Sequence, residues 1–205
     1  MSKPLGVILA GGLSSRMGGG DKPLKMVAGQ SILARVIARL GPQCDGLILN
    51  ANGDPARFAA FALPVAADSI DGFAGPLAGI LAGLDWAANH RPYVTDILSL
   101  PADCPFLPVD LTARLIAVRR AADVPLAAAA SGGWTHPVIG LWPITLREQL
   151  RAALLNGERK IDRFTPKIGI AHAEWPVDPF DPFFNANTPE DVEAANALAV
   201  RFPSA

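Results

Sequence analysis

The stretch "VILAGGLSSRMGGGDKPL", residues 7–24, runs an apolar segment straight into a loop that holds five glycines, Arg16, Asp21 and Lys22. The apolar lead has no polar alternation, so it reads as a strand buried on both faces, as in a parallel sheet. A glycine-rich loop directly after such a strand lets the backbone reach positive φ and turn successive N–H groups toward an anion. The loop fits neither common nucleotide fingerprint. Lys22 is preceded by Asp21 and followed by Pro23, where GxxxxGK[ST] is required, and a GxGxxG turn would open directly into a helix, whereas the next helical pattern begins near Ser31. What is left is a longer loop with a cation at either side of Gly18–Gly20, Arg16 and Lys22, a charge pattern suited to offsetting a triphosphate.

Outward from this loop, short apolar runs alternate with amphipathic patterns, the signature of βαβ units. "SILARVIARLGP" puts Ile32, Leu33, Val36, Ile37 and Leu40 on one helical face, with Ser31 as N-cap and Gly41-Pro42 as the stop. "DGLILNAN" reads as the second strand, "LPVAAD" as a third ending in Asp68, and "GPLAGILAGLDWAANH" as a helix opened by Gly75-Pro76. "TDILSLPADCPFLP" gives a fourth strand running into Asp103, followed by a helix with Leu111, Leu115 and Val118 inward. "PLAAAAS" and "HPVIGLWP" read as strands, "WPITLREQLRAALLNG" as a helix, and "NTPEDVEAANALAVRF" as a last helix capped by Thr188, with Pro189 first and Glu190 and Asp191 in its first turn. The predicted fold is α/β: a single three-layer, Rossmann-like domain over residues 1–205 with a mostly parallel central sheet.

Composition narrows the function. Half of the 205 residues are apolar, and 18 basic side chains against 19 acidic ones leave a net charge of −1. That balance supplies no field for a nucleic-acid backbone or an anionic membrane. The apolar start is too short for a signal peptide and the later run "FAGPLAGILAGLDWAA" too short for a bilayer, so a cytoplasmic protein is expected. Cys44 and Cys104 form no CxxC pair, which argues against a disulfide framework or a zinc site.

Ligands of open α/β sheets gather at the carboxyl ends of the strands. Asp103 lies there, and Mg²⁺ in phosphoryl and nucleotidyl transfer takes only one or two protein carboxylates. On position alone Asp103 fits either a metal ligand or a turn cap, and Asn50 and Asp68, closing the second and third strands, fit either ligands or local caps. Asn185 and Asn187 precede the last helix, whose N-terminus offers free N–H groups; they too suit capping. Arg159 and Lys160 in "GERK" are cations at a helix end.

"LAGGLSSRMGGGDKPL" resembles the LAGG-x-x-x-R-M-G-x-x-K signature of sugar-phosphate-type nucleotidyltransferases, and its "RMGG-x-DK" form is similar to the molybdenum cofactor guanylyltransferase family. The resemblance extends through "NAN" at 50–52, "DS" at 68–69, "GPLAG" at 75–79, "PADCPFLP" at 101–108, "HPVIGLW" at 136–142 and "NANTPEDV" at 185–192. It implies a nucleotidyltransferase domain whose N-terminal part binds the nucleotide through Leu9, Ala10, Gly11, Lys22, Asn50, Asp68 and Asp103. Its C-terminal part would contribute to the pterin acceptor site, with Asn185, Asn187, Arg159 and Lys160 as candidate contacts. Asp103 would hold Mg²⁺, and Arg16, Lys22 and Asp103 would carry catalysis.

The reaction implied is transfer of GMP from GTP to the terminal phosphate of molybdopterin or its molybdenum-loaded form, with release of pyrophosphate. A phosphate monoester is largely ionised near pH 7, its second pKa being about 6, so no strong general base is needed. Related cytidylyltransferases read LAAG where this chain has Leu9-Ala10-Gly11-Gly12, and CTP transfer to the same pterin or another phosphorylated acceptor is the competing expectation. Expected partners are the two substrates, with transient contacts to other cofactor-biosynthesis proteins and to recipient molybdoenzymes. The family motif keeps a histidine at His136, which without a visible partner reads as structural, and Trp134 beside it suits either a core or rim position or the lining of the acceptor side.

Overall fold

The structure, a computed structural model, describes residues 2–11, 22–70, 72 and 75–203. Arg16 and the glycines of 12–20 lie outside the described residues, so the loop's own cradle is left to the sequence reading.

In chain order the elements are β1 (Leu5–Leu9), β2 (Met26–Val27), β3 (Gln30–Ser31), α1 (Ile32–Leu40), β4 (Leu47–Asn50), β5 (Val65–Ala66), α2 (Pro76–His90), β6 (Asp96–Pro101), α3 (Leu111–Ala122), β7 (Leu126–Ser131), β8 (Trp134–Pro143), α4 (Arg147–Leu155), α5 (Ile161–Ile168), β9 (Ile170–Trp175) and α6 (Pro189–Arg201). Seven strands form one sheet in the order β5-β4-β1-β6-β8-β7-β9. β1 pairs in parallel with β4 and β6, and β8 runs antiparallel to both β6 and β7. β8 alone reverses direction, and β7 and β9 are again parallel to each other. The sheet is thus mostly parallel, as the buried, unalternating run at 5–9 predicts.

Successive strand residues face opposite layers. Ile8, Leu49, Leu98 and Leu100 join Leu33, Val36, Leu111, Leu115 and Ala195 from α1, α3 and α6 on one face. Val7, Ile48 and Ile97 join Ile80, Leu84, Leu150 and Phe164 from α2, α4 and α5 on the other. This makes the three layers. α1 begins where expected, with the Ser31 hydroxyl accepting from Ala34 N at 3.1 Å and Ile32, Leu33, Val36 and Leu40 buried; Ile37 and Val118 are only partly buried.

Several boundaries differ from the sequence reading. The third strand shortens to two residues, and the predicted helix over 142–157 starts only at Arg147, because Trp142 and Pro143 still belong to β8 and Ile144–Leu146 make a 3₁₀ turn. α5 and β9 have no counterpart in the elements that the sequence pattern predicts. Pro166 sits inside α5 and breaks the helical pattern that would otherwise announce it. The small hairpin β2–β3, turned by Ala28 and Gly29 at φ 47° and 80°, also interrupts what reads as one loop. Its tip is tied to the last helix by Ala28 N donating to Asn196 Oδ1 at 2.8 Å.

Candidate active site

β6 delivers Asp103. The strand ends at Pro101, Ala102 N still donates to Leu9 O at 3.1 Å, and Ala102 and Cys104 are buried on either side, which turns the intervening carboxylate out of the core. Lys22 opens a 3₁₀ turn anchored by buried Pro23, and its Nζ donates to Asp103 Oδ2 and to Asn187 Oδ1. The Lys22 and Asp103 side chains are only 18% and 19% exposed. Three segments far apart in sequence thus meet at the carboxyl edge of the sheet, where β1 and β6 end side by side.

Asn187 is free for this role because the helix cap is supplied by its neighbours. Thr188 Oγ1 accepts from Asp191 N at 3.2 Å, and Asp191 Oδ2 accepts from the N–H groups of both Asn187 and Thr188 at 2.8 Å. This capping box satisfies the helix start and leaves the Asn187 amide for Lys22. Asn185 Oδ1 accepts from Cys104 Sγ at 2.9 Å. Burial, and next to it the Asp103 charge, push the Cys104 thiol well above its ordinary pKa. It is a protonated donor rather than a nucleophile. Burial likewise raises the Cys44 thiol to about 12.

A second polar cluster closes β4 and β5. Asn50 Nδ2 donates to Asp68 Oδ1 at 3.0 Å and to Ala66 O at 3.2 Å, while Asn52 Nδ2 donates to Asp68 Oδ2 at 2.8 Å and accepts from Asp68 N at 2.9 Å. Each carboxylate oxygen of Asp68 therefore has one amide donor, and each keeps lone-pair capacity for a ligand. Asn52 was missed as a site residue, although "NAN" places two amides two residues apart at a strand end. Helix α2 presses on this cluster at Gly79, where a Cβ would lie 2.3 Å from Asn50 Oδ1. Leu9, Ala10 and Gly11 run beside it: Ala10 N donates to Asn50 O at 2.9 Å.

Arg159 and Lys160 belong to the α4–α5 connection. Arg159 Nη1 donates to the carbonyls of Leu154 and Glu158 at 2.9 Å, and Lys160 is the residue before α5. A cavity of about 400 Å³ opens beside them, bordered by Gly157, Glu158, Arg163, Phe164 and Lys167. Trp134, at the tip between β7 and β8, is 77% exposed.

Among the described residues no three His, Cys, Asp or Glu side chains gather as a metal cage. The donor set suits a different kind of site. The carboxylate of Asp103 and the amide oxygen of Asn187, both hard oxygens, converge on one point charge, and a hard divalent cation that takes its remaining ligands from water and phosphate needs no more from the protein.

A mostly parallel sheet carrying a lysine, a carboxylate and paired amides at its carboxyl edge defines a nucleotidyltransferase, and the chain belongs to the family of the MobA-like NTP transferase domain, whose model matches residues 6–171. More narrowly, it falls with the molybdenum cofactor guanylyltransferases. It is 64% identical over 196 residues to the molybdenum cofactor guanylyltransferase of Rhodopseudomonas palustris strain BisB5, covering 95% of this chain and 93% of that protein. Its fold is similar to that of the molybdopterin-guanine dinucleotide biosynthesis protein A of Archaeoglobus fulgidus, with TM-score 0.72 at 22% identity over 96% of this chain and 99% of that one. A Mycobacterium tuberculosis protein crystallised with manganese, TM-score 0.68 and 18% identical, shares the fold over 96% of this chain and 98% of its own. No helix among the described residues is long and apolar enough to cross a membrane.

Proposed function

We propose that the chain transfers GMP from GTP to the terminal phosphate of molybdopterin, or of its molybdenum-loaded form, in the cytoplasm, releasing pyrophosphate. The observation that carries this reading is the meeting of Lys22, Asp103 and Asn187 at the ends of β1 and β6. It supplies a cation for the triphosphate and two oxygens for Mg²⁺ in one place. The 64% identity to a protein named as a guanylyltransferase supports the choice of base.

The nucleotide half of the reaction falls to β1, β4, β5 and α2. Asp68, its oxygens fixed by Asn50 and Asn52, offers acceptors to the donor groups of a guanine nucleoside. The backbone of Leu9, Ala10 and Gly11 flanks the same crevice, and Gly79 lets α2 approach it. Lys22 moves its positive charge from Asp103 to the phosphates as they arrive, and Arg16 adds a second cation. The attacking phosphate is already ionised, so orientation and charge complementarity lower the barrier. Asp103 and Asn187 would hold Mg²⁺, which would supply positive charge to offset that of the phosphates. The acceptor half falls to the C-terminal part, where Asn185, Arg159 and Lys160 are carried over as contacts.

The test is a screen of GTP, CTP, ATP and UTP with molybdopterin and Mg²⁺, reading pyrophosphate release and the mass of the pterin product. GTP-dependent pyrophosphate and a product heavier by one GMP unit are expected. Turnover with CTP in place of GTP would overturn the base assignment, and binding of GTP without any pyrophosphate would overturn the transferase reading.

A further inference from the structure

Away from the nucleotide, the β7–β8 hairpin carries a polar cluster that the transfer reaction leaves unused. Ser131 Oγ lies 2.7 Å from His136 Nε2 and 2.9 Å from Asp181 Oδ1. A carboxylate accepts only, so the hydroxyl proton points to Asp181, and the serine oxygen accepts Nε2–H of His136. The chain of donors runs one way: His136 to Ser131 to Asp181. That order excludes a serine nucleophile, since the hydroxyl proton is directed to the carboxylate and not to the imidazole, and Ser131 is 1% exposed.

The hairpin is built to make this contact. Gly132 and Gly133 turn it at φ 55° and 80°, Ser131 pairs with Trp134 and Ala129 with His136, and both polar side chains end at the carboxyl edge of the sheet. Asp181 begins a short strap that crosses this edge. Asp181 Oδ1 also accepts from Phe183 N at 2.9 Å and Asp181 O accepts from Phe184 N at 3.1 Å. Phe183, buried, packs its ring 5.0 Å from that of His136 and edge-on to Trp175 at 5.3 Å. Further along, Ala186 N donates to Asp103 O at 3.0 Å, and the next residue, Asn187, receives Lys22.

We propose that Ser131, His136 and Asp181 are positioning residues for the transfer reaction: they anchor the strap 181–187 at its far end and so hold Asn187 against Lys22 and Asp103. The strap is short, and its two ends are fixed to different parts of the sheet, one to the β7–β8 hairpin and one to the backbone after β6. Loosening the first end gives Asn187 freedom to leave the oxygen pair on which the metal and the ammonium depend. A small misplacement at a reacting centre is enough to cost a large factor in rate.

The proposal rests on the transferase reading, and its test separates the two. Wild type, Asp181→Ala, Asp181→Asn and Ser131→Ala are compared by hydrogen-exchange mass spectrometry over residues 181–188 and by steady-state kinetics with GTP, Mg²⁺ and molybdopterin. Asp181→Ala is expected to speed exchange at Phe183, Phe184 and Ala186 about tenfold, to lower kcat about tenfold and to raise the Mg²⁺ concentration for half-maximal rate several-fold, with KM for GTP within about twofold of wild type. Asp181→Asn keeps an acceptor oxygen and should restore both exchange and kcat. Ser131→Ala, the smaller lesion, should follow Asp181→Ala in direction and keeps the test open if that variant fails to fold. Leu150→Ala, in the opposite core layer, serves as a control for general destabilisation and should leave kcat within about twofold below its melting temperature. The proposal fails if exchange at Ala186 and kcat stay at wild-type levels in both Asp181→Ala and Ser131→Ala, or if Leu150→Ala lowers kcat as much. A wild-type protein that releases no pyrophosphate would instead defeat the transferase reading, and the exchange arm would still decide whether the network holds the strap.

Discussion

The two halves of the carboxyl edge are built by opposite means. On the side of β4 and β5, the polar residues lie 16 to 18 positions apart in sequence and hold one another directly: Asn50 and Asn52 grip the carboxylate of Asp68. On the side of β7 to β9, the contacts span 50, 81 and 165 positions, from Ser131 to Asp181, from Cys104 to Asn185 and from Lys22 to Asn187. The first half is a pair of adjacent parallel strands joined by a 3₁₀ segment at Pro55–Phe61, whose ends bring Asn50, Asn52 and Asp68 together as a by-product of topology. The second half must carry a strap back across the sheet to meet residues of the first. The proposed nucleotide pocket is therefore locally determined, whereas the proposed metal-holding oxygens of Asp103 and Asn187 depend on long-range closure of the chain.

The sharpest way to break this comparison is at the junction where both halves meet. Asp103→Ala is expected to lower turnover by at least roughly 10³-fold, since the carboxylate that would bring the metal to the phosphates is lost. The fold should be retained, because the Lys22 ammonium keeps the Asn187 amide oxygen as a partner. Lys22→Ala should weaken GTP binding by roughly 10- to 100-fold, the equivalent of one charge-assisted hydrogen bond at about 1.5–3 kcal/mol. Pyrophosphate release and isothermal titration read the two separately. A purified Asp103→Ala protein with more than a few per cent of wild-type turnover, or an unchanged GTP dissociation constant in Lys22→Ala, would mean that the junction is structural.

A smaller effect is expected within the nucleotide half. Gly79→Ala ordinarily favours a helix by about 1 kcal/mol, but here the added methyl would sit 2.3 Å from Asn50 Oδ1 and 2.9 Å from a methyl of Leu9. Crowding of this kind costs about 1–3 kcal/mol, so it outweighs the helix gain. Asn50 must shift, and one amide bond to Asp68 goes with it. A three- to tenfold rise in the GTP dissociation constant, with kcat at saturating GTP close to wild type, is expected on the basis of about 1 kcal/mol per hydrogen bond. If kcat falls instead and GTP binding is untouched, Gly79 serves the catalytic junction and the two halves are not separable.

This contrast also governs what could be read from the chain alone. β1, α1 and α2 declare themselves because their patterns are local: an unbroken apolar run, a 3.6-residue stripe behind Ser31, a Gly-Pro start. The Thr188 cap and its acidic first turn are equally visible. Asp68 and Asn50 follow from knowing where strands end. By contrast, α5 hides behind Pro166, and the two-residue β5 is too short to register its end except through Asp68. Neither Ser131 nor Asp181 carries a sequence signal, since their meeting is set by a hairpin and a strap that no local period announces. Asn185 and Asn187 look alike in "NANTPEDV", yet the first accepts from the buried Cys104 thiol and the second from the site lysine, a difference that no sequence period announces.

The smallest expected effect sharpens the comparison from the side of the strap. Burial lowers the pKa of His136 below its ordinary 6.5, against the opposing pull of the Asp181 and Glu174 carboxylates. A histidine whose folded pKa is depressed binds fewer protons in the native state than in the unfolded chain between the two values, so stability rises with pH across that window. The neutral ring costs nothing above about pH 6.5, the deficit grows as pH falls through the folded value, and below it the deficit is constant. Acid-sensitive groups remote from the ring contribute equally to wild type and to His136→Gln, so the difference between them reports the imidazole together with the Asp181 and Glu174 carboxylates that act on it. Urea unfolding at pH 7.5 and pH 5 should show wild type losing more stability on acidification than His136→Gln does. Equal losses in the two proteins would mean that the ring takes up its proton without disturbing the hairpin, and that Ser131 and Asp181 alone anchor the strap.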